Sequence, residues 1–408
     1  MSRLTFISSL ALLVTSCKAQ IRANDEICVM GDFNYCPVDD LTPSALDRSI
    51  VILPGGATRC AFDDFSVPGA NYTTNSTYFF QVFPAPSKTK LMLYFQGGGA
   101  CVDEATCSFG VQCMFQTFNA NARPLSNGVL DRSNVENVFN DYNIVHLPYC
   151  TGDLHVGSTM KSDFGSTLNS SLNRPECLGH NMSLHMVGYN NTMAVLEWAV
   201  TNYPNPEEII ISGYSAGAIG AQMVSGLVAE IWHVKEKNIR YSVLSDSYVG
   251  VMHNEEAAGK ILSTYGMCDL DLKLTNSLQD ACKQTTVSFT GIISHLITAT
   301  TDVQWLFIQS MYDRDQRFYY QLQQDGITGH PFTNLVSGED FYSKMMAMID
   351  VYKNVSNDIS TFYVNNSQHV FLTRNNYYYN ATRTPSGELL GSFLKKWLVT
   401  DLSLDTVA

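Results

Sequence analysis

Glu208-Ile-Ile-Ile-Ser-Gly213-Tyr-Ser215-Ala-Gly217-Ala-Ile-Gly-Ala-Gln222 is the stretch on which the reading of this chain turns. A short β-branched run, Ile209-Ile-Ile211, meets the pattern Gly-x-Ser-x-Gly and passes at once into residues at helical spacing. A serine on a tight strand-to-helix turn needs a glycine on either side, because larger side chains collide with the strained backbone and with neighbouring strands. The N-terminus of the following helix favours negative charge developing beside that serine. Ser215 is therefore read as a nucleophile. An ordinary glycine-rich turn is the competing reading, and the strand before and helix after argue against it.

Outward from this turn, apolar runs alternate with longer amphipathic stretches from residue 88 onward, the pattern of a parallel sheet covered by helices. Leu91–Phe95, Ile144–Leu147, Tyr241–Leu244, Trp305–Ile308 and Thr361–Val364 join Ile209–Ile211 as expected strands, and Met186–Thr201, Ala216–Val234 and Phe341–Tyr352 as expected helices. The fold class is α/β, with a mostly parallel central sheet and helices on both faces, as in α/β-hydrolases. Residues 20–85 read as an irregular wrap of the sheet edge, and 86–408 as one catalytic domain ending in a helix through Leu398.

A serine hydroxyl is a weak nucleophile until a base takes its proton, so a histidine and an orienting carboxylate must accompany it. In α/β-hydrolases the chain order is serine, acid, histidine. Of the histidines after Ser215 (His233, His253, His295, His330 and His369), His369 alone follows a strand-like run. Asp313, at the end of the penultimate expected strand, is the preferred acid. Asp246 ends the preceding strand and is read as a carboxylate that hydrogen-bonds active-site loops; Asp315 is a third choice. Leu91–Phe95 runs into Gln96-Gly-Gly-Gly-Ala-Cys101, where the amides of Gly98 and Gly99 could join that of Ala216 around an oxyanion.

The chain has 408 residues and a formal charge of −13, which repels rather than attracts nucleic acid. Arg3, an apolar run from Leu4 to Val14 and a small Ala19 before Gln20 read as a signal peptide, residues 1–19, and no segment is long enough to span a bilayer. Val14-Thr-Ser-Cys17 also fits a bacterial lipid-attachment box, against which stand the Asn-x-Ser/Thr triplets opened by Asn71, Asn75, Asn169, Asn181, Asn190, Asn354, Asn365 and Asn380. Removing Cys17 with the leader leaves an even set of cysteines. Cys28 with Cys36, Cys101 with Cys107 and Cys268 with Cys282 are plausible local pairs, in keeping with secretion. No cofactor is expected: the glycines at 97–99 lack dinucleotide and P-loop spacing, and neither a CxxC pair nor HExxH occurs.

Phe95-Gln-Gly-Gly-Gly-Ala-Cys101, Leu147-Pro-Tyr-Cys-Thr-Gly-Asp153, Gly213-Tyr-Ser-Ala-Gly217, Ser245-Asp-Ser247 and the loops bearing Asp313 and His369 together resemble the pectin acetylesterase and Notum family of carboxylesterases, over about residues 85–375. The resemblance implies a triad of Ser215, Asp313 and His369, an oxyanion hole of Gly98, Gly99 and Ala216, and release of acetate or a longer acyl group from an O-ester. Gln96, Ala100, Tyr214, Val370 and Phe371 depart from the commoner family residues and alter the pocket rather than the chemistry. The expected substrate is an O-acetylated polysaccharide such as pectin. Two alternatives stand beside it: an acylated protein or lipid, whose chain residues Thr286 to Phe307 could line, and a catalytically dead fold that only binds.

Overall fold

The computed structural model describes residues 26–63, 78–107, 127–164, 182–300, 302–325, 335–376, 378, 382–400 and 403–406. The expected leader, Asn71, Asn75, Asn169, Asn181, Asn380, Cys113, Cys177 and His330 lie outside these residues.

Nine strands form the main sheet: β1 (Ile27–Val29), β2 (Ile50–Leu53), β3 (Phe80–Phe83), β4 (Lys90–Phe95), β5 (Asn143–Leu147), β8 (Glu208–Tyr214), β9 (Arg240–Asp246), β10 (Gln304–Ser310) and β11 (Ile359–Val364). Two further strands, β6 (Thr159–Phe164) and β7 (Met182–Met186), pair antiparallel in a small separate sheet. The order across the main sheet is β1-β2-β3-β5-β4-β8-β9-β10-β11, and every pairing is parallel except those of β3 with β2 and β5. All six strands expected from the sequence are present as the block β5-β4-β8-β9-β10-β11. The stretch 20–85, expected to be irregular, contributes β1, β2 and β3 instead. These strands are short and edge-lying, and Gln81 in β3 is buried through a 3.0 Å bond to His146 Nδ1 of β5, a pairing that no local hydrophobic pattern announces.

Each central strand divides its side chains between two cores by strict alternation, as a doubly covered sheet requires. Leu91, Leu93, Ile209, Ile211, Trp305 and Phe307 face the larger core, and Met92, Tyr94, Ile210, Leu306 and Ile308 the smaller. The larger is covered by helices α2 (Gly188–Asn202), α3 (Ala216–Met223), α7 (Phe289–Ala299) and α9 (Gly338–Val355). The smaller is closed by α10 (Leu390–Trp397), which inserts Leu390, Phe393, Leu394 and Trp397, and by buried residues of 129–142 and 371–378. The single helix expected over Ala216–Val234 is two, because α4 (Ser225–Ile231) starts anew after Val224. There the Ser225 hydroxyl donates to the Gln222 carbonyl at 2.8 Å, a local bond that competes with the helical ladder.

Four disulfides join described cysteines. Cys28–Cys36, Cys101–Cys107 and Cys268–Cys282 are the three local pairs expected; Cys60–Cys150 closes a long loop that sequence spacing could not assign. No helix among the described residues is long and apolar enough to cross a membrane.

Candidate active site

The topology gathers the candidate residues. Strands β4, β8, β9, β10 and β11 run parallel, so the segments leaving their carboxyl ends emerge along one edge of the sheet. From β4 the chain goes outward to β5 and returns to β8 on the other flank, and a crevice opens where that direction reverses. The glycine run 97–99, Ser215, Asp246, Asp313 and His369 all follow these strand ends.

Ser215 sits at φ 54°, ψ −126°, a strained conformation that the turn enforces. Its neighbours must be glycine for lack of room. A Cβ at Gly213 would lie 2.3 Å from the Gly217 carbonyl oxygen, and one at Gly217 2.2 Å from that of Phe95. The same crowding explains Gly97, where a Cβ would meet the Tyr214 carbonyl oxygen at 2.3 Å and Ser215 Cβ at 2.8 Å. The amides of Gly98, Gly99 and Ala216 have no hydrogen-bond partner among the described residues. Gly98 and Gly99 take φ 159° and 85°. Gly99 and Ala216 line the same cleft as Ser215.

Asp313 is fully buried and caps helix α8 (Arg314–Asp325). Its Oδ1 accepts from the Gln316 amide and its Oδ2 from Gln316 Nε2, both at 2.9 Å, an arrangement that fixes the carboxylate at the positive end of a helix. His369 Nδ1 donates to the same carboxylate, 2.8 Å from Oδ2 and 3.0 Å from Oδ1. With Nδ1 as donor, Nε2 is the free base. Burial alone would lower the His369 pKa. The charge and hydrogen bond of Asp313, aided by Asp315 and Asp246, outweigh it and hold the imidazole well above 6.5. His369 and Ser215 line one cleft, and the serine hydroxyl has no hydrogen-bond partner among the described residues.

Asp246 does not touch the imidazole; it holds the loop behind it. The carboxylate is fully buried and accepts from the amides of Phe371 (2.9 Å) and Leu372 (2.8 Å) and from the Ser247 hydroxyl (2.8 Å). Ser247 Oγ in turn accepts from the Val370 amide at 3.0 Å, and the Asp246 carbonyl accepts from the Ser215 amide at 2.9 Å. One corner of β9 therefore fixes both the serine turn and the histidine loop. Burial raises the Asp246 pKa to about 6 against the opposing pull of those hydrogen bonds.

Sequence reading did not foresee Gln316, Ser247 or the buttress behind the glycines. Gln96 Oε1 accepts from the Tyr149 amide at 2.9 Å, the Gln96 carbonyl is 2.9 Å from His155 Nε2, and the Cys101 amide donates to the Gly152 carbonyl at 2.7 Å. Buried His155 stacks on Tyr149, and burial lowers its pKa to about 4, so it stays neutral. The motif 147–153 was the one available signal for this support. Asp315 is exposed; with Asp313 and His369 it offers ligand atoms within 4.8 Å of one another. Both oxygens of Asp313 are already engaged by Gln316 and His369, so this trio is poorly disposed to hold a metal. His233 and His295 lie away from the cleft, His295 within 3.0 Å of the Lys273 carbonyl.

The cleft beside Ser215 is open to solvent and lined mainly by apolar side chains. Its apolar lining includes Ile219, Tyr248, Val251, Met252, Ile261 and Phe289, and Asp315, Gln316 and Gln323 line it as well. Among the described residues of the segment Thr286–Phe307, expected to line an acyl cavity, Phe289 alone lines this cleft; Ile292, Ile293, Leu296, Trp305 and Phe307 are core.

Sheet order, strand polarity and the turn at Ser215 define an α/β-hydrolase. Two crystal forms of the Wnt deacylase Notum from Drosophila share the fold. One has a TM-score of 0.53 at 17% identity, covering 83% of this chain and 92% of the other. The second has a TM-score of 0.55 at 16% identity, covering 90% and 94%. The palmitoleoyl-protein carboxylesterase NOTUM of Schmidtea mediterranea is 26% identical over 119 residues, which is 28% of this chain and 21% of that protein. The match thus spans about a fifth of that relative's length. The pectinacetylesterase family model matches residues 73–406, and the chain belongs to that family.

Proposed function

We propose that the chain cleaves O-acyl esters through an acyl-Ser215 intermediate and that its acyl group is longer than acetyl. The observation that carries the reading is the cleft itself: Ser215 and His369 open onto a recess walled by apolar side chains, more wall than one methyl group can use. In the first half-reaction His369 Nε2 takes the Ser215 proton as the oxygen attacks the acyl carbon. The amides of Gly98, Gly99 and Ala216 receive the resulting oxyanion, and the imidazolium passes its proton to the departing alcohol. In the second, His369 takes a proton from water as its oxygen attacks the acyl carbon; the bond to Ser215 Oγ breaks, the imidazolium returns the proton to the serine, and the carboxylic acid leaves. Asp313 holds the Nδ1–H tautomer throughout. Each oxyanion donor contributes about 3 kcal/mol to such a step.

The enzyme acts outside the cell in this reading. A leader over residues 1–19, four disulfides and two exposed sequons, Asn354 and Asn365, support it. An acylated protein or lipid is the substrate class that the recess fits. A second reading, release of acetate from an acetylated polysaccharide such as pectin, is favoured by the family match. A series of p-nitrophenyl esters from acetate to palmitate separates them. A kcat/KM that climbs beyond acetate supports the longer acyl group; a steady fall from acetate, with acetate released from acetylated pectin, refutes it.

A further inference from the structure

Beside the recess lies a second space, open to solvent, that no step above uses. It shares three residues with the cleft: Val251, Met252 and Phe289 line both. On its far side stand Ala347, Met348 and Val351 of α9, of which Ala347 and Val351 are exposed, so this space is a groove open to solvent. A single layer of side chains therefore separates the floor of the recess from a second opening on the surface. Tyr320 ties the two spaces again: its ring lines the cleft, while His253 and Lys344 of the groove pack against it at 5.7 Å.

The layer is built unevenly. Phe289 is buried as the first residue of α7, a helix capped by the Ser288 hydroxyl, which accepts from the Gly291 amide at 3.0 Å, and Val251 is buried as well. Met252 is half-buried against the larger core, and its thioether accepts one weak hydrogen bond, from the Tyr248 hydroxyl at 3.4 Å. An unbranched thioether has three rotatable bonds and adapts to irregular space better than the branched and aromatic side chains beside it. Apolar residues line both sides, although Asn254, Ser288, Thr290 and Lys344 also line the groove, so a hydrocarbon chain that reached the layer would find apolar contacts along Ala347, Met348 and Val351 beyond it.

We propose that Met252 is a movable partition between the acyl recess and this groove, and that the distal, methyl end of a long acyl chain passes it to lie along α9. This rests on the reading of Ser215 and the recess given above. It makes Met252 a specificity-determining residue and the groove a subsite for saturated or unsaturated hydrocarbon.

The test is the ester series from four to sixteen carbons on wild type, Met252→Ala, Met252→Phe and Ala347→Phe, the last filling the groove from an exposed helix position outside the catalytic machinery. Opening the partition is expected to raise kcat/KM for the longest esters about tenfold relative to butyrate, and Met252→Phe and Ala347→Phe to lower that ratio by a similar factor, with butyrate itself unchanged in Ala347→Phe. Ala347→Phe should also cancel the gain in the double variant. Chain-length profiles that are the same in all four enzymes, with butyrate hydrolysed normally, overturn the partition and leave the recess reading intact. Failure of every variant and the wild type on every ester overturns both.

Discussion

Replacing Asp246 with alanine is expected to damage the enzyme without touching any reacting atom. The carboxylate satisfies two buried backbone amides, Phe371 and Leu372, as well as the Ser247 hydroxyl. A hydroxyl can rotate toward another acceptor, but the amides cannot move independently of the chain. Each buried amide left without an acceptor costs about 1–3 kcal/mol, so Asp246→Ala should lose about 4 kcal/mol of unfolding free energy. The same amides directly follow His369, and a loop that shifts by about 1 Å to rehydrate them would cost on the order of 100-fold in kcat. KM should change much less, because Asp246 does not line the cleft.

Asparagine separates charge from position. It keeps one oxygen for the two amides and removes a charge that burial disfavours, so Asp246→Asn should stay within about 1 kcal/mol of wild type at pH 7. The pH dependence gives a further check. Asp246 rises from an ordinary 3.8 to about 6 in the folded chain. The folded state therefore binds a proton first, and this residue's contribution to stability increases as pH falls from above 6 toward 4. The difference between wild type and Asp246→Asn should widen in the wild type's favour over that window. Guanidinium unfolding at several pH values, with steady-state kinetics on a short ester, measures all of this. An alanine variant within about 1 kcal/mol of wild type and within about twofold in kcat would refute the role assigned to this corner.

Other outcomes follow from the same geometry. The pH profile of kcat/KM should have an acid limb above 6.5, because Asp313 holds the His369 pKa up; Asp313→Asn should move that limb below 6.5, where burial takes over, and lower kcat by about 10⁴-fold. An unchanged limb in the variant would contradict the pairing. Gly217→Ala places a methyl 2.2 Å from the Phe95 carbonyl oxygen, a backbone atom that cannot rotate away, and should cost at least about 2 kcal/mol, seen as a lowered Tm. A variant as stable as wild type would contradict that crowding. Serine at both Cys60 and Cys150 opens a loop with a sequence separation of 90 and should cost about 4.6 kcal/mol by chain entropy, read as a shift in the denaturation midpoint; an unshifted midpoint would contradict it.

Much of this arrangement is legible in the chain because it is local or periodic. The six central strands are short apolar runs buried on both faces, and Gly-x-Ser-x-Gly records in five residues the close approach of two backbone segments. His369 and Asp313 could be selected by position after a strand, since parallel strands deliver their ends to one edge. What the sequence conceals is pairing across the chain. Gln81 in β3 looks polar until His146 stands opposite, and Cys60 has no spacing that points to Cys150. Gln316 looks like a surface residue of an amphipathic helix, yet it clamps Asp313. The wall of the cleft comes largely from the segment after β9 and the start of α7, because a cavity belongs to no single periodic element.

Mass-spectrometric mapping of a fluorophosphonate adduct tests the central claim most directly. A single phosphonylated residue, Ser215, is expected in the wild type, with labelling lost in Ser215→Ala and slowed by at least about 10³-fold in His369→Ala. A wild-type chain that takes up no probe, or takes it up equally well without His369, would contradict the account.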